Sequence, residues 1–395
     1  EKLDILSGNG KFDMNFFDLV DSEAMRRNGT VDSPADFIAE KKNALDSPER
    51  VEAWADEAAE LDAWLRGMGV ELNHNYGLRN HMAEVDAYAG ERIQDGMEAR
   101  IKELGIDVRT GTKGYDLIMD GDTVVGVKVQ NKNNYYSIYA DIVLMATGGF
   151  AANKELLAQY APGGEIVATS NQMGATGDFV PVFEKYGFKM EHMDTLSVFK
   201  LINQRNRELT GAGDGFILVN ADGKRFAAEN SSGLPLAHAI LDQPDGKVFY
   251  IYDQRLKESM YRLEKHNKLG YHTQANTLEE LAQALGINGE NLKTEVKAYN
   301  EAVEGKRADA FRKSPFSEKL SETGPYYGAQ VESAIHMTKG GVVANEKAQV
   351  LWENGVVVKG LYAAGEVTAT TAAYSGSVAF GRIAARHAVQ ELLAK

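Results

Sequence analysis

The sequence predicts an α/β fold interrupted by a second, α+β domain, and three observations carry that expectation. Short β-rich runs alternate with amphipathic helices through the first part of the chain. Two strand-like runs, Asp141-Ile142-Val143-Leu144-Met145-Ala146 and Gly360-Leu361-Tyr362-Ala363-Ala364, each lead directly into glycine-bearing turns. Between them the character changes over residues 196–322, and the α/β pattern returns after Gly324-Pro325. The expected division is therefore 1–195 and 323–395 for the two parts of the α/β domain, with 196–322 inserted. A chain of 395 residues is too long for a single core to be the starting expectation.

Composition excludes several classes. With 44% hydrophobic and 25% charged residues the chain is not disordered. Asp and Glu number 57 against 43 Lys and Arg, a net charge of −14 without a basic run, which argues against a nucleic-acid partner. No apolar stretch approaches the ~20 residues needed to cross a bilayer. The absence of cysteine removes disulfides, thiolate metal sites and a Cys nucleophile, and the eight His show no paired ligand spacing, so no metal is expected.

Each element has a local reason. Ser7-Gly8-Asn9-Gly10 punctuates a turn-rich entry. Ser33-Pro34 pairs a cap with a proline at the first helical position, and the spacing predicts a helix over 34–68. A second amphipathic helix over 90–104 stops at Gly105. The period then changes: Ile106-Asp107-Val108, Tyr115 to Met119 and Val124 to Val129 read as short strands. Asp141 to Ala146 is continuously apolar after its first residue, as expected of a strand buried on both faces, and helix resumes near Asn153. In the inserted region helices are expected from Leu278 to Leu285 and from Glu290 to Val303, while Tyr250-Ile251-Tyr252 and Tyr326-Tyr327 belong to strands and core. Strands follow at Val342-Val343, Val356 to Val358 and Gly360 to Ala364, then a helix from Val378 to Leu393. A strand, a small meander and a buried strand ending in glycines suggest half of a dinucleotide-binding domain.

An ordered series of motifs sharpens this. Glu1-Lys2 precedes Ser7-Gly8-Asn9-Gly10; Ala146-Thr147-Gly148-Gly149 and Ala364-Gly365-Glu366 end two strands; Gly215 to Asn220 leads to Gly223-Lys224-Arg225-Phe226 and Glu229; His336-Met337-Thr338-Lys339-Gly340-Gly341 follows. Over nearly its whole length the chain resembles the flavoprotein family of fumarate reductases and succinate dehydrogenase flavoprotein subunits. Flavocytochrome c, urocanate reductase and 3-ketosteroid dehydrogenases are included in that family.

The resemblance implies an FAD-binding Rossmann-like domain interrupted by an inserted α+β capping domain, with FAD as cofactor. Glu1 stands where the family binds the adenosine ribose, and Glu366 is the corresponding acid for the ribityl chain. Lys2, Gly8, Asn9, Gly10, Gly114, Ala146, Thr147, Gly148, Asp178 and Gly365 complete the cofactor-binding set along the cleft. Tyr374-Ser375-Gly376-Ser377-Val378 opens the last helix, so Gly376, Ser377 and Val378 are expected to face the flavin. Helix N–H groups there would stabilise the anion formed on reduction. The family's Gly-x-Gly-x-x-Gly turn lies some 20 residues before the ribose acid. With that acid at residue 1, the sequence is expected to be part of a longer protein, and FAD binding by these residues alone is expected to be weak.

The substrate side departs from the dicarboxylate-reducing members. Where they carry a proton-donating arginine, a clamping arginine and a histidine, this chain places Gly233, Tyr374 and Phe199. Only the histidine of the His-x-Thr-x-Gly-Gly element remains, as His336. A tyrosine before the flavin loop resembles the ketosteroid dehydrogenases, where such a hydroxyl polarises a conjugated carbonyl. The expected catalytic residues are therefore Tyr374 and His336. The expected reaction is oxidoreduction at a CH–CH bond of an α,β-unsaturated carbonyl compound, with a small unsaturated substrate and an external electron donor or acceptor as partners. A fumarate or other unsaturated-acid reductase recruiting Arg205 or Arg207 is the first alternative, and a non-catalytic flavin-fold binding protein the second. Tyr76, Arg79 and His81, in an early loop, are read as solvated surface and are left out of the site.

Overall fold

Val357–Ala363 is the strand around which the first of two units is built. It pairs antiparallel with Gln349–Leu351 and parallel with Val143–Met145, and it meets Thr123–Asn131 through Lys359 and Thr123. Thr123–Asn131 forms an antiparallel meander with Thr112–Asp120 and Asn134–Tyr139. The strand can cross so closely because residue 360 is glycine: it holds φ +76°, and a Cβ there would stand 2.3 Å from the Val124 carbonyl oxygen. This computed structural model describes residues 1–12, 16–42, 45–84, 87–211, 213–314 and 318–394. The first unit comprises Glu1–Pro162, Asn171–Leu196 and Met337–Lys395.

Several expected elements differ from those observed. The single helix over 34–68 is three helices, Pro34–Lys41, Pro48–Ala58 and Leu61–Arg66. Ser47-Pro48 repeats the cap-and-proline signal of Ser33-Pro34, and Ser47 accepts a bond from the Arg50 N–H at 3.4 Å. Residues 43 and 44, inside the expected helix, lie outside the described residues. Ile106-Asp107-Val108 is not a strand; both apolar side chains are exposed, so the alternation has no face to bury. Of Asp141 to Ala146 only Val143–Met145 is a strand, and Leu144 is 42% exposed where burial on both faces was expected. Among the described residues it pairs only with Val357–Ala363, and the exposed face at Leu144 lines a cleft. Asn153 starts the next helix as expected, accepting bonds from the N–H groups of Glu155 and Leu156.

The second unit comprises Gly163–Ser170 and Ser197–His336. Its sheet runs in the order Leu196–Asn203, Tyr326–Thr338, Val248–Asp253, Phe216–Asn220. Tyr326–Thr338 is shared by most of the pairings, and Ala168–Thr169 joins it in parallel at Ala334 and Ile335. That pairing moves both limits from those expected. The insertion gains 163–170, and Gly324-Pro325 introduces a thirteen-residue strand of this unit, so the chain returns to the first unit after His336 and not at 323. The helices Leu278–Leu285 and Gly289–Val303 match expectation to within a residue. Tyr250, Ile251, Tyr252, Tyr326 and Tyr327 are buried in its core. No helix among the described residues is long and apolar enough to cross a membrane.

Candidate functional site

A cleft of about 560 Å³ opens in the first unit, and most of the residues expected at the cofactor line it. Its first wall is the entry segment. Gln172, which no motif marks, clamps this turn: its side-chain oxygen accepts the Gly8 N–H at 3.1 Å, and its own N–H donates to the Asn9 side chain at 2.9 Å. Gly10 has no room for a side chain, since a Cβ would come within 2.8 Å of the Tyr374 ring. At one end Lys2 and Lys113 reach Asp178 from 2.8 and 2.9 Å. Burial raises the Asp178 pKa, but the two ammonium groups outweigh it and hold the carboxyl below its usual range. Glu1 and Gly114 also line this end; the Glu1 carboxylate accepts the Leu3 N–H at 2.8 Å.

The two glycine-ended strand exits form the floor. Ala146, Thr147, Gly148, Gly365 and Glu366 all line the cleft. Gly148 and Gly365 take φ of +73° and +78°, a backbone conformation open to glycine at little cost. The Glu366 carboxyl accepts two bonds from Thr338, and burial nevertheless pushes its pKa up to about 7 against those bonds and one from Asn9.

The last helix begins one turn earlier than expected, as Tyr374–Leu393. Ser377 makes its first backbone bond, to the Ala373 carbonyl at 3.0 Å, which leaves the N–H groups of Tyr374, Ser375 and Gly376 without an intrahelical acceptor. Helical periodicity sorts the expected residues: Tyr374, Ser377 and Gly381 face the cleft at i, i+3 and i+7. Gly376 and Val378 do not line it. Gly376 turns inward, where a Cβ would lie 2.3 Å from Ala372 and 3.1 Å from Trp54, and Val378 packs into the hydrophobic cluster of that helix. The Tyr374 ring meets Phe17 edge-on at 5.4 Å, and burial pushes its hydroxyl up to about 12.

His336 belongs to the second unit. Its Nδ1 lies 3.0 Å from the Ser170 hydroxyl, and its ring stacks on Phe199 with centroids 3.6 Å apart. Burial lowers its pKa to about 4, so the imidazole is neutral at neutral pH. Gly233 is the first residue of the helix Gly233–Leu241. Arg205 and Arg207 are exposed, and Arg205 donates to the Gly270 carbonyl at 2.8 Å. Arg79 and His81 are buried where solvated surface was expected, because Arg79 is paired with Asp32 and His81 bonds Ser22 at 2.7 Å and the Arg79 carbonyl; the Tyr76 side chain lies outside the described residues. Among the described residues no arginine or histidine lines the cleft.

Comparison with known proteins places this geometry. The family model for the FAD binding domain matches residues 16–378. The chain is 33% identical over 362 residues to the probable fumarate reductase of Shewanella frigidimarina, covering 86% of this chain and 61% of that protein. It is 26% identical over 361 residues to the 3-oxosteroid 1-dehydrogenase of Mycobacterium tuberculosis, covering 75% and 62%. The chain thus spans about three fifths of the length of these two relatives. Among solved structures, the open conformation of a flavocytochrome c3 fumarate reductase superposes with a TM-score of 0.85 at 29% identity, covering 98% of this chain and 73% of that one.

Proposed function

Because this chain belongs to the FAD binding domain family, whose cofactor is FAD, we propose that its cleft is the flavin site of an oxidoreductase acting on the C–C bond of an α,β-unsaturated carbonyl compound. The fit to FAD rests on the cleft itself. Gly10, Gly148 and Gly365 leave backbone where side chains would block a flat ring system, and Glu366 and Glu1 offer carboxylates for sugar hydroxyls. Lys2 and Lys113 supply positive charge at the Asp178 end. When bound, FAD supplies the hydride chemistry.

The observation that carries the substrate class is Tyr374 on the cleft face of the helix N-terminus, without an arginine beside it. Its hydroxyl, protonated up to about pH 12, can donate to a carbonyl oxygen and polarise the conjugated double bond. A dicarboxylate would require bidentate cations that the cleft wall lacks. The imidazole of His336 is neutral at neutral pH and carries no imidazolium proton to give, so the proton that the α-carbon receives on reduction is not assigned to it.

The FAD-loaded protein, reduced anaerobically, should be reoxidised by enones in a panel of enones and enoates. Reoxidation by fumarate alone would replace this reading with that of an unsaturated-acid reductase, which the relatives' names favour. A flavin that no compound in the panel reoxidises would point to a non-catalytic protein.

A further inference from the structure

We infer that the buried Asp46–Arg50 pair positions the first turn of the last helix and through it sets the reduction potential of the flavin; this rests on the cleft being the flavin site. Asp46 and Arg50 are one turn apart, their side chains 0% and 5% exposed, and they meet at 3.0 Å. The carboxylate does more than balance the guanidinium. It accepts the Thr371 N–H at 2.9 Å and the Thr370 hydroxyl at 2.8 and 2.9 Å from its two oxygens. The Thr370 oxygen in turn accepts the Ala372 N–H at 2.9 Å. Three consecutive residues just before Tyr374 are thus tied to one buried charge.

Arg50 fastens that charge to the rest of the unit. Its Nη1 donates to the Ala344 and Asn345 carbonyls at 3.1 and 3.0 Å, and its guanidinium lies 3.8 Å from the centroid of the Phe380 ring on the last helix. Trp54 follows Arg50 by four residues, on the same face of the helix Pro48–Ala58, and fills the space beside Gly376. Asp46, just before this helix, and Trp54, on it, therefore hold the segment 370–376 at its two ends. A buried ion pair is an expensive way to fill volume, since apolar residues of similar size do so as well or better. What it provides here is a fixed location for polar backbone.

That location matters because the N–H groups of Tyr374, Ser375 and Gly376 have no acceptor within the helix. Held still, they stabilise negative charge on a reduced flavin without reorganising; loosened, they are replaced in part by mobile water. The anchoring pair never touches the cleft, so its effect passes entirely through this turn.

The test uses the FAD-loaded protein with Asp46→Asn and Thr370→Val. Thr370→Val keeps the ion pair and removes only the hydroxyl bonds, so it serves if Asp46→Asn does not fold. Amide hydrogen exchange over 368–378 is followed together with the flavin midpoint potential, measured without substrate. Exchange should speed up over that segment, and the midpoint should fall by about 30 mV, the equivalent of a tenfold change for a two-electron couple. Unchanged exchange in Thr370→Val, or faster exchange with an unmoved potential, overturns the inference. Since no substrate enters, a failed enone panel leaves this result standing.

Discussion

The carboxyl group of Glu366 accepts two bonds from Thr338, one from its backbone N–H at 2.9 Å and one from its hydroxyl at 3.1 Å. The contact joins the end of the strand Tyr326–Thr338 to the exit of Val357–Ala363, and it encloses an acid whose pKa burial pushes up to about 7. A folded pKa above the unfolded value of 4.5 means that the folded state holds the proton more tightly. The stability that Glu366 contributes is therefore fully present below pH 4.5, declines as the pH rises towards 7, and is gone beyond it. That decline is on the order of 3 kcal/mol. Glu366→Gln should remove it, so urea unfolding at about pH 5 and about pH 8 should show the variant gaining on the wild type at the higher pH. Parallel profiles would contradict the assignment.

Tyr374→Phe tests the proposed hydrogen-bond donor with little structural disturbance, because the ring contacts with Phe17 and Gly10 remain. Enone turnover should fall roughly 10²–10³-fold, the usual effect of losing one such donor, with the melting temperature nearly unchanged. Gly10→Ala should also lower turnover, because its Cβ would stand 2.8 Å from the ring and displace it. If Tyr374→Phe retains full activity, the hydroxyl has no part in the reaction.

His336 titrates in the opposite sense. Burial depresses its pKa from 6.5 to about 4, so the stability it contributes is present above pH 6.5 and is lost as the pH falls towards 4. His336→Gln loses the stacking on Phe199 but also the slope, worth on the order of 3 kcal/mol across that window. Denaturation at about pH 7 and about pH 4.5 should show the gap between the two proteins closing or reversing at the lower pH. A gap that widens on acidification would mean the imidazole is charged in the fold.

Asp178 binds two lysines while its own side chain is 20% exposed. Asp178→Ala leaves Lys2 and Lys113 facing each other and should cost about 1–2 kcal/mol. Lys113 is 44% exposed, so high salt should narrow the difference in melting temperature between variant and wild type. An equal loss at all salt concentrations would assign the effect to packing.

Local chemistry was readable from neighbours in the chain. Ser33-Pro34 starts a helix, Asn153 caps another, and Gly148 and Gly365 turn with positive φ at strand ends. The order of these signals was enough to indicate the family and most of the cleft, from Gly8 to Ser377. Even the misread helix over 34–68 held its own correction, in Ser47-Pro48.

Other features depend on residues far apart. Gln172 clamps the turn at Gly8, Thr338 holds Glu366 across 28 positions, and Asp46 holds Thr370 across 324. The return to the first unit after His336 follows from the pairing of Tyr326–Thr338 with Val248–Asp253, although Gly324-Pro325 had suggested an earlier one. Gly376 faces Trp54 while Ser377 faces the cleft, a choice set by which side of the helix finds a core to pack against. Capping, turn and proline preferences act within a few bonds, so the sequence by itself determines them. Which buried groups meet is decided by desolvation and packing, and those free energies exist only once the distant segments have come together.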